Sequence, residues 1–247
     1  MGEEQPAAQR IEVEPNGPYQ VRGGLPLFRE EIVRSPEGDS VDWRRTEELP
    51  AQQEYRLCRC GRSQNKPFCD DSHLLEPPFD GEETADRGLT DERRRFFRGH
   101  EIVMGDDVSL CASAAFCESS TEDVWSMLLS SRDPEIRERI KHRIRRCPSG
   151  RLTYVEPPDE TAVEREYEPS VAVVRDGPLR LLGRVEVIAA DGERWEVRNR
   201  MALCRCGVSE NKPFCDGSHN VIEFRDPADD DDVTAEVGAD STADATD

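Results

Sequence analysis

Apolar and polar residues alternate in two distant stretches of the chain, and in each the alternation turns on an Xaa-Gly-Pro step. RIEVEPNGPYQVRGGLPLF (residues 10–28) parallels SVAVVRDGPLRLLGRVEVI (residues 170–188). A period of two around Asn-Gly-Pro or Asp-Gly-Pro predicts a β-hairpin in each copy. Another strand is predicted behind each hairpin, in YRLCRC and in RWEVRNRMALCRC, and the first copy carries extra residues around SPEGDSVDW. Between the copies the period changes. Ile136, Ile140 and Ile144 recur every four residues behind Asp133-Pro134, which predicts a helix delivering Cys147. Val124, Trp125, Leu128 and Leu129 predict a shorter helix on one apolar side, capped by Thr121. The pattern is that of an α+β chain in which two β-rich repeats flank a helical insert.

Composition narrows what such a chain can do. Only 35% of the 247 residues are hydrophobic and 6% aromatic, a lean supply for a core that bound metal would help to staple. The net charge of −20 argues against nucleic acid, which demands a basic footprint. No apolar run reaches spanning length, and MGEEQPAAQR has neither a basic n-region nor an apolar h-region; Pro6 stands where a myristoylation signal wants Ser or Thr. No membrane association and a cytoplasmic location are therefore expected. The acid suits either steering of basic partners or a salt-rich cytoplasm, and its spread along the chain favours the second. Residues 226–247, DPADDDDVTAEVGADSTADATD, offer almost nothing to bury and are expected to be disordered.

Nine cysteines in a cytoplasmic chain point to metal or redox use. Six of them, with two of the four histidines, form two equal sets: Cys58, Cys60, Cys69 and His73 in CRCGRSQNKPFCDDSH, and Cys204, Cys206, Cys215 and His219 in CRCGVSENKPFCDGSH. Thiolates with an imidazole suit iron–sulfur clusters or zinc. Structural zinc usually takes C-x2-C knuckles, whereas here the first pair is C-x-C. Alternate residues of an extended segment share a face, so Cys58 and Cys60 can grip one iron; Cys69 and His73, four apart, can meet on a helical turn and hold a second. This division predicts a [2Fe–2S] rhomb, with structural zinc as the competing reading. Three lysines stand against thirty arginines, and two of the three, Lys66 and Lys212, share one motif position. Two readings stand: a flexible ammonium is needed there, or duplication alone carried it over.

Both segments resemble the CDGSH iron–sulfur (NEET) family, whose motif runs C-x-C-x2-S-x3-P-x-C-D-G-S-H. The second copy matches throughout; in the first, Asp71 stands where the second has Gly217, and Asp tolerates the positive φ that glycine favours. The resemblance implies two 3Cys-1His [2Fe–2S] clusters. It also implies a β-cap made by both repeats, since single-motif members form intertwined dimers. A chain with two copies is expected to be an intramolecular pseudo-dimer, monomeric overall. Asp70 and Asp216 are read as caps of the ligand turn rather than acids.

The other three cysteines lie in the insert. Cys111-x5-Cys117 is a bacterial ferredoxin loop lacking its middle cysteine, where Ala114 stands, and Cys147-Pro148 completes the set. The stretch resembles the divergent 4Fe–4S mono-cluster ferredoxin family, which implies that Cys111, Cys117 and Cys147 hold a [3Fe–4S] or [4Fe–4S] centre. The bland alternative is three small buried hydrophobes. His142, off the isoleucine stripe, and His100, without ligand spacing, are read as ordinary histidines. The expected units are residues 10–80, 95–156 and 168–225, followed by the tail.

Replacing one thiolate by neutral imidazole removes a negative charge from a [2Fe–2S] centre and eases electron arrival, while imidazole basicity couples electrons to protons and makes the site acid-labile. The expected function is proton-coupled one-electron transfer with a redox partner protein. A [2Fe–2S] carrier or redox and pH sensor serving an apo-protein acceptor is the alternative, and a structural zinc protein the second. No nucleotide loop or nucleophile–base pair is present, so no enzyme activity is expected.

Overall fold

The computed structural model describes residues 8–226. The first repeat contributes strands β1 (Arg10–Val13), β2 (Tyr19–Arg22), β3 (Leu27–Arg34), β4 (Ser40–Leu49) and β5 (Glu54–Leu57). The insert contains helix α1 (Thr90–Arg93), strands β6 (Arg95–Arg98) and β7 (Val103–Asp106), helices α2 (Val124–Met127) and α3 (Pro134–Arg146), and strand β8 (Leu152–Val155). The second repeat supplies β9 (Ser170–Val174), β10 (Leu179–Leu182), β11 (Glu186–Ile188), β12 (Arg200–Leu203) and helix α4 (Ser218–Val221). The chain is thus α+β, rich in strand and poor in helix.

Both predicted hairpins form. β1 pairs antiparallel with β2 across Asn16-Gly17, and β9 with β10 across Asp176-Gly177; Asn16 and Asp176 take positive φ of 49° and 47°. The strands then leave their own repeats. β3 runs on to pair in parallel with β9, Leu27 facing Val171, and β11 returns the exchange by pairing in parallel with β1, Val187 facing Ile11. The sheets are therefore β11-β1-β2-β5 and β12-β10-β9-β3-β4, each holding strands of both repeats. The period-two pattern explains why: Ile11, Tyr19, Val21, Leu27 and Leu57 from one repeat and Val171, Val173, Leu179, Val187 and Leu203 from the other fill a single core. Full burial of such a side chain is worth about 1.5–3 kcal/mol, and both repeats contribute to the same core. Tyr19 seals the arrangement, its hydroxyl lying 2.9 Å from the Cys204 carbonyl and 3.0 Å from that of Pro213.

The extra residues of the first copy form the β3–β4 hairpin, which reaches the insert. Trp43 stacks on Phe116 at 4.9 Å and its Nε1 donates to the Arg146 carbonyl at 2.9 Å. In the insert, β6-β7-β8 form a small sheet whose inner face packs with α2 and α3 around Ile102, Met104, Val124, Leu128, Ile140, Ile144 and Tyr154. α3 begins as its sequence predicts, with Pro134 in the first turn and Asp133 accepting from the amides of Glu135 and Ile136.

Three expectations need correction. The cap of α2 is Asp123, which accepts from the Ser126 amide, and not Thr121; the competing carboxylate stands closer to the first turn. Leu129 is 78% exposed because the chain tightens into a 3-10 turn at Leu128–Ser130 and rotates it off the apolar side. The acidic segment lies outside the described residues except for Asp226, which is 1% exposed and ion-paired to Arg205, and so belongs to the fold.

Candidate metal centres

Each CDGSH-like set is built from two short pieces. β5 and β12 end at the C-x-C step, where the two sulfurs of a pair lie 3.7 Å apart in both copies. The third cysteine and the histidine flank a single turn: Cys69 Sγ is 3.5 Å from His73 Nδ1, and Cys215 Sγ is 3.3 Å from His219 Nδ1. A 3-10 turn carries His73 and helix α4 carries His219. The turn-leading residues, Asp71 and Gly217, both adopt the left-handed region at φ 67° and 88°. Asp70 and Asp216 brace the loop by accepting at one end from Gln64 and Glu210 amides (both 2.8 Å) and at the other from Ser72 (3.1 Å) and Ser218 (2.9 Å). Those bonds, led by the Ser72 hydroxyl, hold the Asp70 carboxyl down to about 2.

Donor separation speaks to what each set can hold. A tetrahedral zinc with Zn–S near 2.3 Å keeps all its donors within about 4 Å of one another. Among the described residues, the donor atoms of Cys69, Asp71 and His73 all lie within 4.8 Å of one another, and no three donors of either Cys3His set do so. Each set thus presents its donors as two close pairs. The electrostatics suit anionic ligation. Cys58 and Cys204 are drawn below the usual thiol range, first by the neighbouring thiols of Cys60 and Cys206 and then by backbone N–H groups of Ser63, Gly61, Ser209 and Gly207. Each second thiol is pushed up by the first, so metal binding must displace its proton. Burial lowers the His219 pKa and favours its neutral, ligating form.

Arg59 and Arg205, between the two cysteines of each pair, were not singled out by ligand spacing. Both are about 1% exposed. Pointing away from the sulfurs, Arg59 Nε donates to Gly17 O (3.0 Å) and Arg205 Nε to Gly177 O (2.9 Å), tying each pair to the turn of its hairpin. Their recurrence in both copies was the available signal. Gly61 and Gly207 follow at φ 76° and 87°, and each packs on the other copy's loop: a Cβ on Gly61 would overlap the Cys206 carbonyl, and one on Gly207 that of Cys60. The two loops therefore meet backbone to backbone. Lys66 and Lys212 differ in surroundings, Lys66 Nζ donating to Ser63 O at 2.6 Å while the Lys212 carbonyl accepts from Thr84 and Ala85 amides.

Cys111, Cys117 and Cys147 line one depression with Ser113, Pro148 and Arg151. Ser113 and Ala115 take positive φ of 54° and 56°, and such alternation turns successive amides toward an anion. Arg151 donates to Cys111 Sγ at 3.1 Å while clamped on Asp106, and burial pushes the Cys117 thiol up to about 12. His100 and His142 stay apart from every set: His100 Nδ1 lies 3.2 Å from Arg132 Nε, and His142 Nε2 lies 3.1 Å from Val41 O.

The family described as "Iron-binding zinc finger CDGSH type" matches residues 16–74 and 176–220, and that described as "Divergent 4Fe-4S mono-cluster" matches residues 97–157. Two segments of the chain match the CDGSH family. These two segments frame the divergent mono-cluster segment, and both matched families point to iron–sulfur cluster binding. Twenty-nine residues are 59% identical to "CDGSH iron-sulfur domain-containing protein 3, mitochondrial" of Mus musculus, covering 12% of this chain and 21% of the relative's length. No solved structure matches. Among the described residues, no helix is long and apolar enough to cross a membrane.

Proposed function

We propose that the protein is a multi-centre electron carrier in which Cys58, Cys60, Cys69 and His73 hold one [2Fe–2S] cluster and Cys204, Cys206, Cys215 and His219 a second. Cys111, Cys117 and Cys147 hold a [3Fe–4S] or [4Fe–4S] centre. When bound, such clusters take up and return single electrons. The reciprocal exchange of β3 and β11 supports reading the two repeats as an intramolecular pseudo-dimer, with no second chain needed. The observation that carries the electron-transfer reading is the mutual packing of Gly61 on Cys206 and Gly207 on Cys60, which brings the two cysteine pairs together through backbone alone.

The residues divide the work. Asp70 and Asp216 fix the ligand turns, Arg59 and Arg205 fix the C-x-C steps, and the histidines meet their cysteines through Nδ1. Nε2 is then the nitrogen positioned to take a proton when an electron arrives. The partner is a redox protein, and the chain itself is no catalyst. Cluster delivery to an apo-protein is the second reading, favoured by the exposure of Asp71 and the half-buried Cys69. Electron paramagnetic resonance on anaerobically purified protein tests the assignment: a [2Fe–2S] signal on reduction, lost at one site in each of Cys69→Ser and Cys215→Ser, is expected. Colourless protein with stoichiometric zinc would overturn it.

A further inference from the structure

Two ligand sets of nearly the same sequence sit in different surroundings. In the first, Cys69 is half-buried, Asp70 and Asp71 are exposed, and Asp71 reaches sideways to Arg56 at 2.8 Å. In the second, Cys215 is 3% exposed and Gly217 is buried. The insert makes the difference. Ala112 packs with Ala202 and Cys215 in one apolar cluster. Ser113 lies so close over Gly217 that a Cβ there would overlap its side chain. Asn211 Nδ2 donates to Ser109 O at 2.9 Å, and Asn220 Nδ2 to Ser113 O at 3.5 Å. From the other side, buried Arg200 of β12 donates to the carbonyls of Ile144 and Cys147, fixing the third cysteine of the insert to the second repeat.

This contact also explains the one departure between the motifs. Both turns need a left-handed residue, and aspartate serves where the turn is open. Where Ser113 covers it, only glycine fits.

Resting on the ligand sets proposed above, we infer that the two CDGSH sites do different work: the Cys69–His73 site is the open port of the chain, and the Cys215–His219 site is an internal relay closed by the Cys111–Cys117 loop. An electron exchanged across the Ala112–Cys215 contact oxidises one centre by one and reduces the other by one, with no co-reactant. The order of transfer is then insert, second site, and, across the Gly61–Cys206 and Gly207–Cys60 contacts, first site.

The test uses the full-length holoprotein challenged with a ferrous-iron chelator under mild reductant. The visible absorbance of the two [2Fe–2S] sites is expected to bleach in separate phases, the second site at least about tenfold slower because the insert covers Cys215 and Gly217. His73→Cys should alter the fast phase alone and His219→Cys the slow phase alone, while Asn211→Ala with Asn220→Ala should speed the slow phase. In partly reduced protein, the resonance of the second site should be broadened by the paramagnetic insert centre and sharpen in Cys117→Ser. A single bleaching phase, or His73→Cys acting on the slow one, overturns the division of labour. Failure to see two [2Fe–2S] centres at all would instead overturn the ligand assignment.

Discussion

Gly61 and Gly207 show how much one missing side chain decides. Each combines a positive φ with a neighbouring carbonyl in the space a methyl would fill. Gly38, in the β3–β4 turn, has φ 92° and nothing within 4 Å of a would-be Cβ, so it separates the two costs. Forcing alanine into the left-handed region costs about 1–2 kcal/mol. Gly38→Ala should cost that much, and Gly61→Ala or Gly207→Ala at least about 2 kcal/mol more, because backbone must move. Denaturant unfolding of the three variants checks this, and equal losses would remove the loop contact as a constraint. The approach of Cys58 to Cys60, of Cys69 to His73 and of their counterparts in the second copy was legible, since spacing in a strand end and a single turn fixes it. The inward turn of Arg59 and Arg205 was not, because their partners are carbonyls of a hairpin turn far away in sequence.

Among elements, the hairpins were legible because alternation and turn residues are local properties. Their partners were not, since β3 with β9 and β11 with β1 are parallel pairings between repeats that no local pattern encodes. The start of α2 shows the limit of local signals. Thr121 and Asp123 are both acceptable caps, and only the latter accepts from a helix amide, that of Ser126 at 2.8 Å. Asp123→Ala should therefore cost about 1 kcal/mol and Thr121→Ala less than about 0.5 kcal/mol. Thermal unfolding of the two variants distinguishes them; the reverse order would return the cap to Thr121. The same carboxylate supports the path by which Val124 and Leu128 close the core behind Cys147.

At the scale of the whole molecule, the repeats are units of sequence whose strands share two sheets. Cut out alone, residues 168–226 would keep β9, β10, β11 and β12 and lose β3 from the edge of β9 and β1 from beside β11. Val171, Val173 and Val187 would then face water in place of Leu27, Tyr19 and Ile11, and two strand edges would be left open to pairing. Such a fragment has two ways to satisfy those edges: pair with a copy of itself, repeating the exchange between chains, or aggregate. Expressed alone it should run as a dimer or be insoluble, and co-expressed with residues 8–157 it should be captured by them, because β1 and β3 offer the edges it was shaped against. Size-exclusion chromatography with iron analysis separates these outcomes. A folded, iron-loaded monomer of residues 168–226 would show that the exchange is dispensable. The duplication would then have joined two independent domains instead of closing one intertwined pair.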